Sequence, residues 1–228
     1  MKKRLIVFIV LAMFVIPAVV SATPPRPGPY VSGYLGLSQP IDMDANSTEY
    51  GPGGKIYNDR VEFDPSLNIG GSGGFDFGFV RLEGELSYKN GEMSSITEQI
   101  SNTRYTNVDG RVGVFAVMFN TFLDMRNPSP VTPYIGIGVG IATLYLDDTY
   151  GTETSTGYRQ RLYESNDEAV FAYQAAAGLE IALTQMLSLD LGYRYFGTTK
   201  ANFNRNTSTE TEMKYESHNA SIGFRVKF

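Results

Sequence analysis

The sequence predicts an all-β fold, an eight-stranded antiparallel up-and-down barrel that crosses a membrane. Three observations carry that expectation. Beyond the first 22 residues, apolar side chains recur at every second position in eight segments, the period of a strand with two unlike faces. The connections between segments alternate between short turns and long polar stretches, the asymmetry of a transmembrane barrel. On one face of each segment stand large Leu, Ile, Val, Phe and Tyr, while the other is rich in Gly, Ala and Ser. Such faces suit a lipid belt wrapped around a crowded interior.

The segments follow in order. The first sets Val31, Gly33, Leu35 and Leu37 against Ser32, Tyr34, Gly36 and Ser38. The second alternates Leu67, Ile69, Phe75 and Phe77 with Asn68, Ser72 and Asp76, and the third Val80, Leu82, Leu86 and Tyr88 with Arg81, Glu83, Glu85 and Lys89. In the fourth, Asp109 and Arg111 open a polar side on which Phe115, Val117 and Phe119 then fall, while Asn120 falls on the apolar one. A β-bulge that resets the register is the expected cause. The fifth opposes Ile135, Ile137, Val139 and Ile141 to Gly136, Gly138, Gly140 and Ala142. The sixth opposes Phe171, Tyr173, Leu179 and Ile181 to Gln174, Gly178 and Glu180. The seventh sets Leu187, Leu189, Leu191, Tyr193 and Tyr195 against Ser188, Asp190 and Arg194. The eighth runs to the last residue, with Ala220, Ile222, Phe224, Val226 and Phe228 on its apolar face.

Short connections are expected around Gly78, around Thr184-Gln185 and through the proline-punctuated stretch 125–133. Long loops are expected at Pro40–Pro65, Asn90–Asn107, Asp147–Asp167 and Thr199–Met213, all rich in Ser, Thr, Asn, Asp and Glu. A soluble barrel would turn its large apolar face inward and its charged face to water. The concentration of small residues on the polar face argues against it, because small side chains belong in a narrow interior.

The first 22 residues stand apart. Met1-Lys2-Lys3-Arg4 is a basic start, Leu5 to Val20 is apolar apart from Pro17, and Val20-Ser21-Ala22 offers small residues before a cleavage between Ala22 and Thr23. This is the pattern of a secretory signal. A proline-rich tail is expected over 23–29 and the barrel over 30–228. Removing Lys2, Lys3 and Arg4 from the 19 Lys+Arg leaves 16 against 24 Asp+Glu, a net charge of −8. That argues against nucleic acid as a partner, since phosphate binding needs a basic surface. With no cysteine in the chain, an exported protein is held together without disulfides.

The polar faces carry six acids, Asp76, Glu83, Glu85, Asp109, Glu180 and Asp190, and six bases, Arg81, Lys89, Arg111, Arg194, Arg225 and Lys227. An eight-stranded barrel has room inside only for side chains, and buried charge persists only when paired. The expected lumen is therefore an ion-pair network built chiefly on Glu83, Glu85, Arg111, Glu180, Asp190, Arg194 and Arg225, with a charge-lined pore as the alternative reading. Hairpin pairing across Thr184-Gln185 should set Glu180 and Asp190 at one depth, with Arg225 on the next strand at about the same height. Asp42-Met43-Asp44-Ala45-Asn46 matches the start of a calcium loop, but the sixth position is Ser47 and the twelfth Gly53, where that loop needs Gly and Glu. No metal or other cofactor is expected.

The stretches YVSGYLGLS, RLEGELSY, TPYIGIGVGIA, VFAYQAAAGLEIAL and LSLDLGYRY, with the terminal aromatic strand, resemble the outer-membrane β-barrel family of opacity and surface-antigen proteins. The transmembrane domain of outer membrane protein A belongs to that family. The resemblance implies a Gram-negative outer-membrane location with both termini periplasmic, a monomer in contact with lipid and lipopolysaccharide, and loops that meet an extracellular ligand it does not identify. It also implies that a terminal strand ending in an aromatic is read by the barrel-assembly machinery, with Tyr215, Phe224 and Phe228 as the recognised residues. Such barrels often anchor with Trp. This chain has none, so Tyr30, Tyr88, Tyr134, Tyr145, Tyr173, Tyr193 and Tyr195 are the expected girdle. The single histidine, His218, invites comparison with the lipid A deacylases, whose His-x-Ser pair lies on a barrel strand. Here the serine position is Ala220, and Ser221 points to the opposite face, so no enzyme is expected.

Overall fold

The computed structural model of the chain describes residues 27–49, 54, 56–203 and 209–228. The expected cleavage between Ala22 and Thr23 lies outside the described residues. Among the described residues every regular element is a strand: β1 (Gly28–Pro40), β2 (Met43–Glu49), β3 (Ile56–Asp64), β4 (Ser66–Asp76), β5 (Val80–Glu98), β6 (Thr103–Thr106), β7 (Arg111–Asp124), β8 (Val131–Leu146), β9 (Thr149–Glu153), β10 (Arg159–Tyr163), β11 (Asn166–Ala182), β12 (Leu187–Thr198), β13 (Ala201–Phe203), β14 (Thr209–Met213) and β15 (Glu216–Lys227).

Eight of these strands form a hydrogen-bonded antiparallel ring, β1-β4-β5-β7-β8-β11-β12-β15. The ring closes where β1 pairs with β15, from Tyr30↔Lys227 to Pro40↔Ser217. Closure leaves no strand edge within the ring, the condition under which strands can cross lipid. The outer surface carries exposed Val31, Leu35, Ile69, Leu86, Val117, Ile137, Ile141, Phe171, Ile222 and Phe224. In water such a patch would be untenable; around a barrel it is a lipid belt.

The stretches expected to be long loops are largely strand. At 16 residues, β8 runs about 53 Å at ~3.3 Å per residue, well beyond the ~9–11 residues that cross a bilayer. Above the ring, β14 pairs with β2, β2 with β3, β3 with β5, β5 with β6, β6 with β9 and β9 with β10. Period two persists here with sparser apolar residues, which is why composition alone reads as loop. Met43, Ala45, Val61, Phe63, Met93 and Ile96 point inward and are buried, while their charged neighbours face water. No ladder joins β10 to β13 among the described residues, so this crown is an open curved sheet.

Two further details differ from the sequence-based expectation. The proline-rich tail ends earlier than expected: β1 begins at Gly28, paired with Asp76, and Phe228 donates its backbone N–H to Pro29. The bulge is on β5, not β7. Glu62 pairs with Ser95 and Phe63 with Met93, leaving Ser94 as the extra residue. Pairing of β7 with β5 is continuous from Val80↔Leu123 to Glu92↔Arg111. The apparent conflict in β7 arises because the upper lumen is apolar, so Val112, Val114, Ala116 and Met118 face inward beneath a lipid-facing Phe115, Val117 and Phe119.

The interior is thus filled in two layers. Toward the end that holds Gly28 and Phe228 it is charged; toward the crown it is a core of Phe63, Val114, Leu144, Phe196, Phe203, Met213, Tyr215 and their neighbours. Gly178 shows how tightly the charged layer is packed, since a methyl built there would run into the Tyr134 hydroxyl and the Leu191 carbonyl. Gly178→Val should therefore lower unfolding stability in urea by ~1–3 kcal/mol, the usual range for overpacking. An unchanged midpoint would mean that the lumen has slack.

Candidate functional site

The charged layer is built by alternation. Each ring strand turns every second side chain inward, and the antiparallel register sets their heights. Glu180 stands directly opposite Asp190 across the β11–β12 hairpin, and Ser188 opposite Arg225. Arg225 therefore reaches both acids, with Nη1 2.7 Å from Glu180 and Nη2 2.8 Å from Asp190. Two carboxylates side by side would repel, and one guanidinium between them turns that repulsion into a bridged triad. Lys227 lies 2.6 Å from Asp76 and 3.5 Å from Glu180. Arg126 also pairs with Asp76 at the rim. Arg81, fully buried, pairs with an equally buried Asp124 at 2.8 Å.

Neutral groups complete the network. Tyr30 donates to Glu83 at 2.8 Å, Tyr34 to Glu85 at 2.7 Å and Tyr134 to Asp190 at 2.8 Å. Asn120 donates to Glu85, and Gln174 donates to both Asn120 and Glu85. Arg194 lies 3.7 Å from Glu85 and 4.5 Å over the Tyr34 ring. Arg81 stacks 4.6 Å from the Phe122 centroid and Arg225 5.0 Å from that of Tyr30. At the top, Lys89 sits 3.5 Å over Phe196, where the charged layer meets the apolar one. The cavity left among Tyr34, Tyr134, Asp190 and Arg194 measures about 10 Å³. One water needs at least ~10–15 Å³.

Of the residues singled out in the sequence, Glu83, Glu85, Glu180, Asp190, Arg194 and Arg225 converge in this layer. Arg111 does not. Its side chain is 58% exposed and pairs at 3.3 Å with Asp147 outside the barrel. Asp109 likewise pairs with Arg159 in the crown, at 2.5 Å. Only a bulge in β7 would turn them inward; in the continuous register Arg111 shares the outer face of Phe115, Val117 and Phe119, above the height at which that face meets lipid. Asp124 and Arg126 take part instead. Their signal was available, since Asn120, Phe122 and Asp124 continue one face of β7.

Other expected positions also move. Tyr30 and Tyr134 are buried in the lumen rather than in the girdle, whereas Tyr88 and Tyr145 face outward, and Tyr193 and Tyr195 flank an outward His218. Tyr215, just before β15 at its crown end, is buried against Phe196, far from the exposed Phe224 and Phe228 of the expected assembly signal. His218 accepts from or donates to the Tyr193 hydroxyl at 2.7 Å on the outer face, while Ser221 receives a hydrogen bond from Arg194 on the inner one. The two cannot act on one bond. Asp42 precedes β2 and lies 3.5 Å from Arg60, Met43 opens the strand pointing inward, and Asp44 accepts a hydrogen bond from Gln99, so the segment is strand from Met43 onward.

A closed eight-stranded ring with an apolar exterior, a charge-paired interior and strands that outrun a bilayer defines a transmembrane β-barrel. The outer membrane protein beta-barrel domain model matches residues 6–228, and the chain belongs to that family of bacterial outer-membrane β-barrels. It is 28% identical over 240 residues to outer membrane protein PagN of Salmonella typhimurium, covering 95% of this chain and 98% of that protein. Among solved structures, OprG of Pseudomonas aeruginosa is similar in fold with a TM-score of 0.66 at 14% identity, covering 91% of this chain and 99% of that one. Neisserial surface protein A gives a TM-score of 0.52 at 19% identity, covering 88% and 97%.

The triad on Arg225 makes a stability prediction. Arg225→Met leaves Glu180 and Asp190 facing each other without their shared cation, a loss that typically costs ~3–5 kcal/mol. Urea unfolding of the purified barrel should show a decrease of that size; a loss below ~1 kcal/mol would mean that water already solvates these acids.

Proposed function

We propose that this chain is a non-conducting, non-catalytic surface barrel that presents its crown for contact with other surfaces and contributes to envelope integrity. The observation that carries the reading is the contrast between a filled lumen and an elaborated crown. Charge pairs and an apolar layer close the interior, whereas the four outer segments extend as paired strands with polar outward faces. On this reading the end with Gly28 and Phe228 is periplasmic and the crown extracellular, with lipopolysaccharide around the belt. Exposed Phe224 and Phe228 are the aromatics offered to the barrel-assembly machinery.

The charge of the crown selects among contact partners. Residues 41–65, 90–111, 147–168 and 199–216 carry 18 acids and 9 bases. Such a surface attracts basic partners and repels polyanions, an effect that weakens as salt screens it. Cells displaying the barrel should adhere to a polylysine-coated surface more than cells lacking it, with the difference shrinking at high salt. Preferential, salt-sensitive adhesion to immobilised heparin would contradict this reading. In planar bilayers the wild-type barrel should give no steady current, and a stable conducting state would replace the surface-contact reading with that of a pore. Deleting Phe228 should reduce the yield of heat-modifiable folded barrel and leave chain in the periplasm; an unchanged yield would remove the terminal aromatic from the assembly signal.

A further inference from the structure

The crown encloses a cup of about 850 Å³, inside the ~300–1,000 Å³ range of small-molecule sites. The cup is blind. Ile96, Leu146 and Tyr163 line its depth and belong to the apolar layer that seals the lumen below. What enters it is held and not passed on.

Its wall carries an electrostatic mismatch. Asp59 on β3 stands directly opposite Glu98 on β5, and both line the cup. Like charges in directly opposed positions destabilise a sheet. The nearby arginines are engaged elsewhere: Arg60 with Asp42, Arg104 with Glu62, and Arg161 with Asp148 and Glu164. Among the described residues no Lys or Arg lies within 4.0 Å of either carboxylate. Glu98 is held by the backbone N–H groups of Ile100 and Ser101 and by the Ser101 hydroxyl, and Asp59 by the Tyr163 hydroxyl at 2.7 Å. Those are neutral donors that leave acceptor capacity on both acids. Burial, with Glu98 adding to it, raises the proton affinity of Asp59 against the opposing effect of Tyr163.

Tyr57, Tyr105 and Tyr163 line the same space, with Ile100 and Leu162 beside them. The faces of tyrosines beside carboxylates attract organic cations, ammonium groups with alkyl substituents above all. A calcium ion would want six to eight oxygen ligands; Glu164 and Arg161 also line the cup but pair with each other at 3.7 Å, which leaves Asp59 and Glu98 beside tyrosine and aliphatic side chains, a setting that suits a larger, softer cation. Among the described residues no group of three or more His, Cys, Asp or Glu is arranged to hold a metal.

We propose that the cup binds an amphipathic organic cation, a single alkylammonium charge at Asp59 and Glu98 with an apolar body against the tyrosine and leucine walls. The site stands independently of the surface-contact reading, which concerns the outward faces of the same strands. The test is calorimetric titration of the barrel in lipid nanodiscs with hexyltrimethylammonium, with empty nanodiscs subtracted. Hexanesulfonate, choline and calcium chloride are titrated alongside.

One saturable site per barrel is expected for hexyltrimethylammonium, with weaker binding of choline and none of hexanesulfonate. Asp59→Asn should weaken hexyltrimethylammonium at least tenfold while leaving the heat-modifiable folded form intact, because the substitution relieves the Asp59–Glu98 repulsion. Tyr105→Leu, on β6 beside the strand that carries Glu98, should weaken it threefold or more and serves as a second variant should the first fail to fold. Equal binding of hexanesulfonate, or unaltered affinity in both variants, overturns the proposal. Choline binding as tightly as hexyltrimethylammonium overturns the apolar half of the site. Displacement of hexyltrimethylammonium by micromolar calcium would make the two carboxylates a metal site instead.

Discussion

The interior of this barrel rests on one guanidinium shared by two carboxylates. Backbone groups in lipid must all be paired, so the strands close into a ring. A ring of eight leaves an interior only as wide as the side chains that fill it. Any charge placed there has lost its water and must find its counter-charge within that width. Arg225, at 2.7 Å from Glu180 and 2.8 Å from Asp190, meets the condition where it is most demanding, since those two acids are opposed in the hairpin register. Lys227 ties Glu180 onward to Asp76, and Tyr134 ties Asp190 to the aromatic wall. The remaining pairs, Arg81 with Asp124 and Arg194 with Glu85, repeat the same solution on other strands.

Along the barrel axis the meaning of inside and outside inverts. Where lipid surrounds the ring, the apolar side chains face out and the polar ones in. Where water surrounds the crown, Met43, Val61, Phe63 and Met93 face in and charges face out, as in a soluble sheet. The Ser94 bulge falls where β5 passes into the crown and carries the inward face from Met93 to Ile96 and Glu98. Between the two regimes lies a stretch of β7 that is apolar on both faces. The apolar plug above the ion pairs is a consequence of this inversion, and it makes the cup in the crown blind.

Much of this was legible from alternation alone. Period two located all eight spanning strands, and the small residues on one face identified the lumen, because neither depends on height. Height is what the pattern does not carry. Asp109 and Arg111 share the outward parity of Phe115 and Val117 and read as luminal only because charge on a spanning strand is expected to face inward; they lie where the outer face has passed from lipid to water. Tyr30 and Tyr134 share the residue type of a girdle yet sit within the plug. The crown strands were read as loops because Ser, Thr and Asn replace Leu and Ile wherever the outer face meets water, which weakens the signal without ending the strand. Asn120 was the clue that β7 keeps its register: an amide on the apolar parity of a spanning strand points inward, where it meets Glu85 and Gln174.

The central claim is that the acids of the lumen are neutralised by fixed partners and not by water. It is tested most directly by removing a whole triad rather than one member. The comparison is urea-unfolding stability of Arg225→Met against the triple variant Arg225→Met, Glu180→Gln, Asp190→Asn, both in the same detergent and buffer. Deleting one partner strands a buried charge, whereas deleting all of them leaves neutral groups that cost little. The account predicts that the triple variant recovers most of the stability lost by the single one. A triple variant less stable than Arg225→Met, with the losses adding, would contradict it.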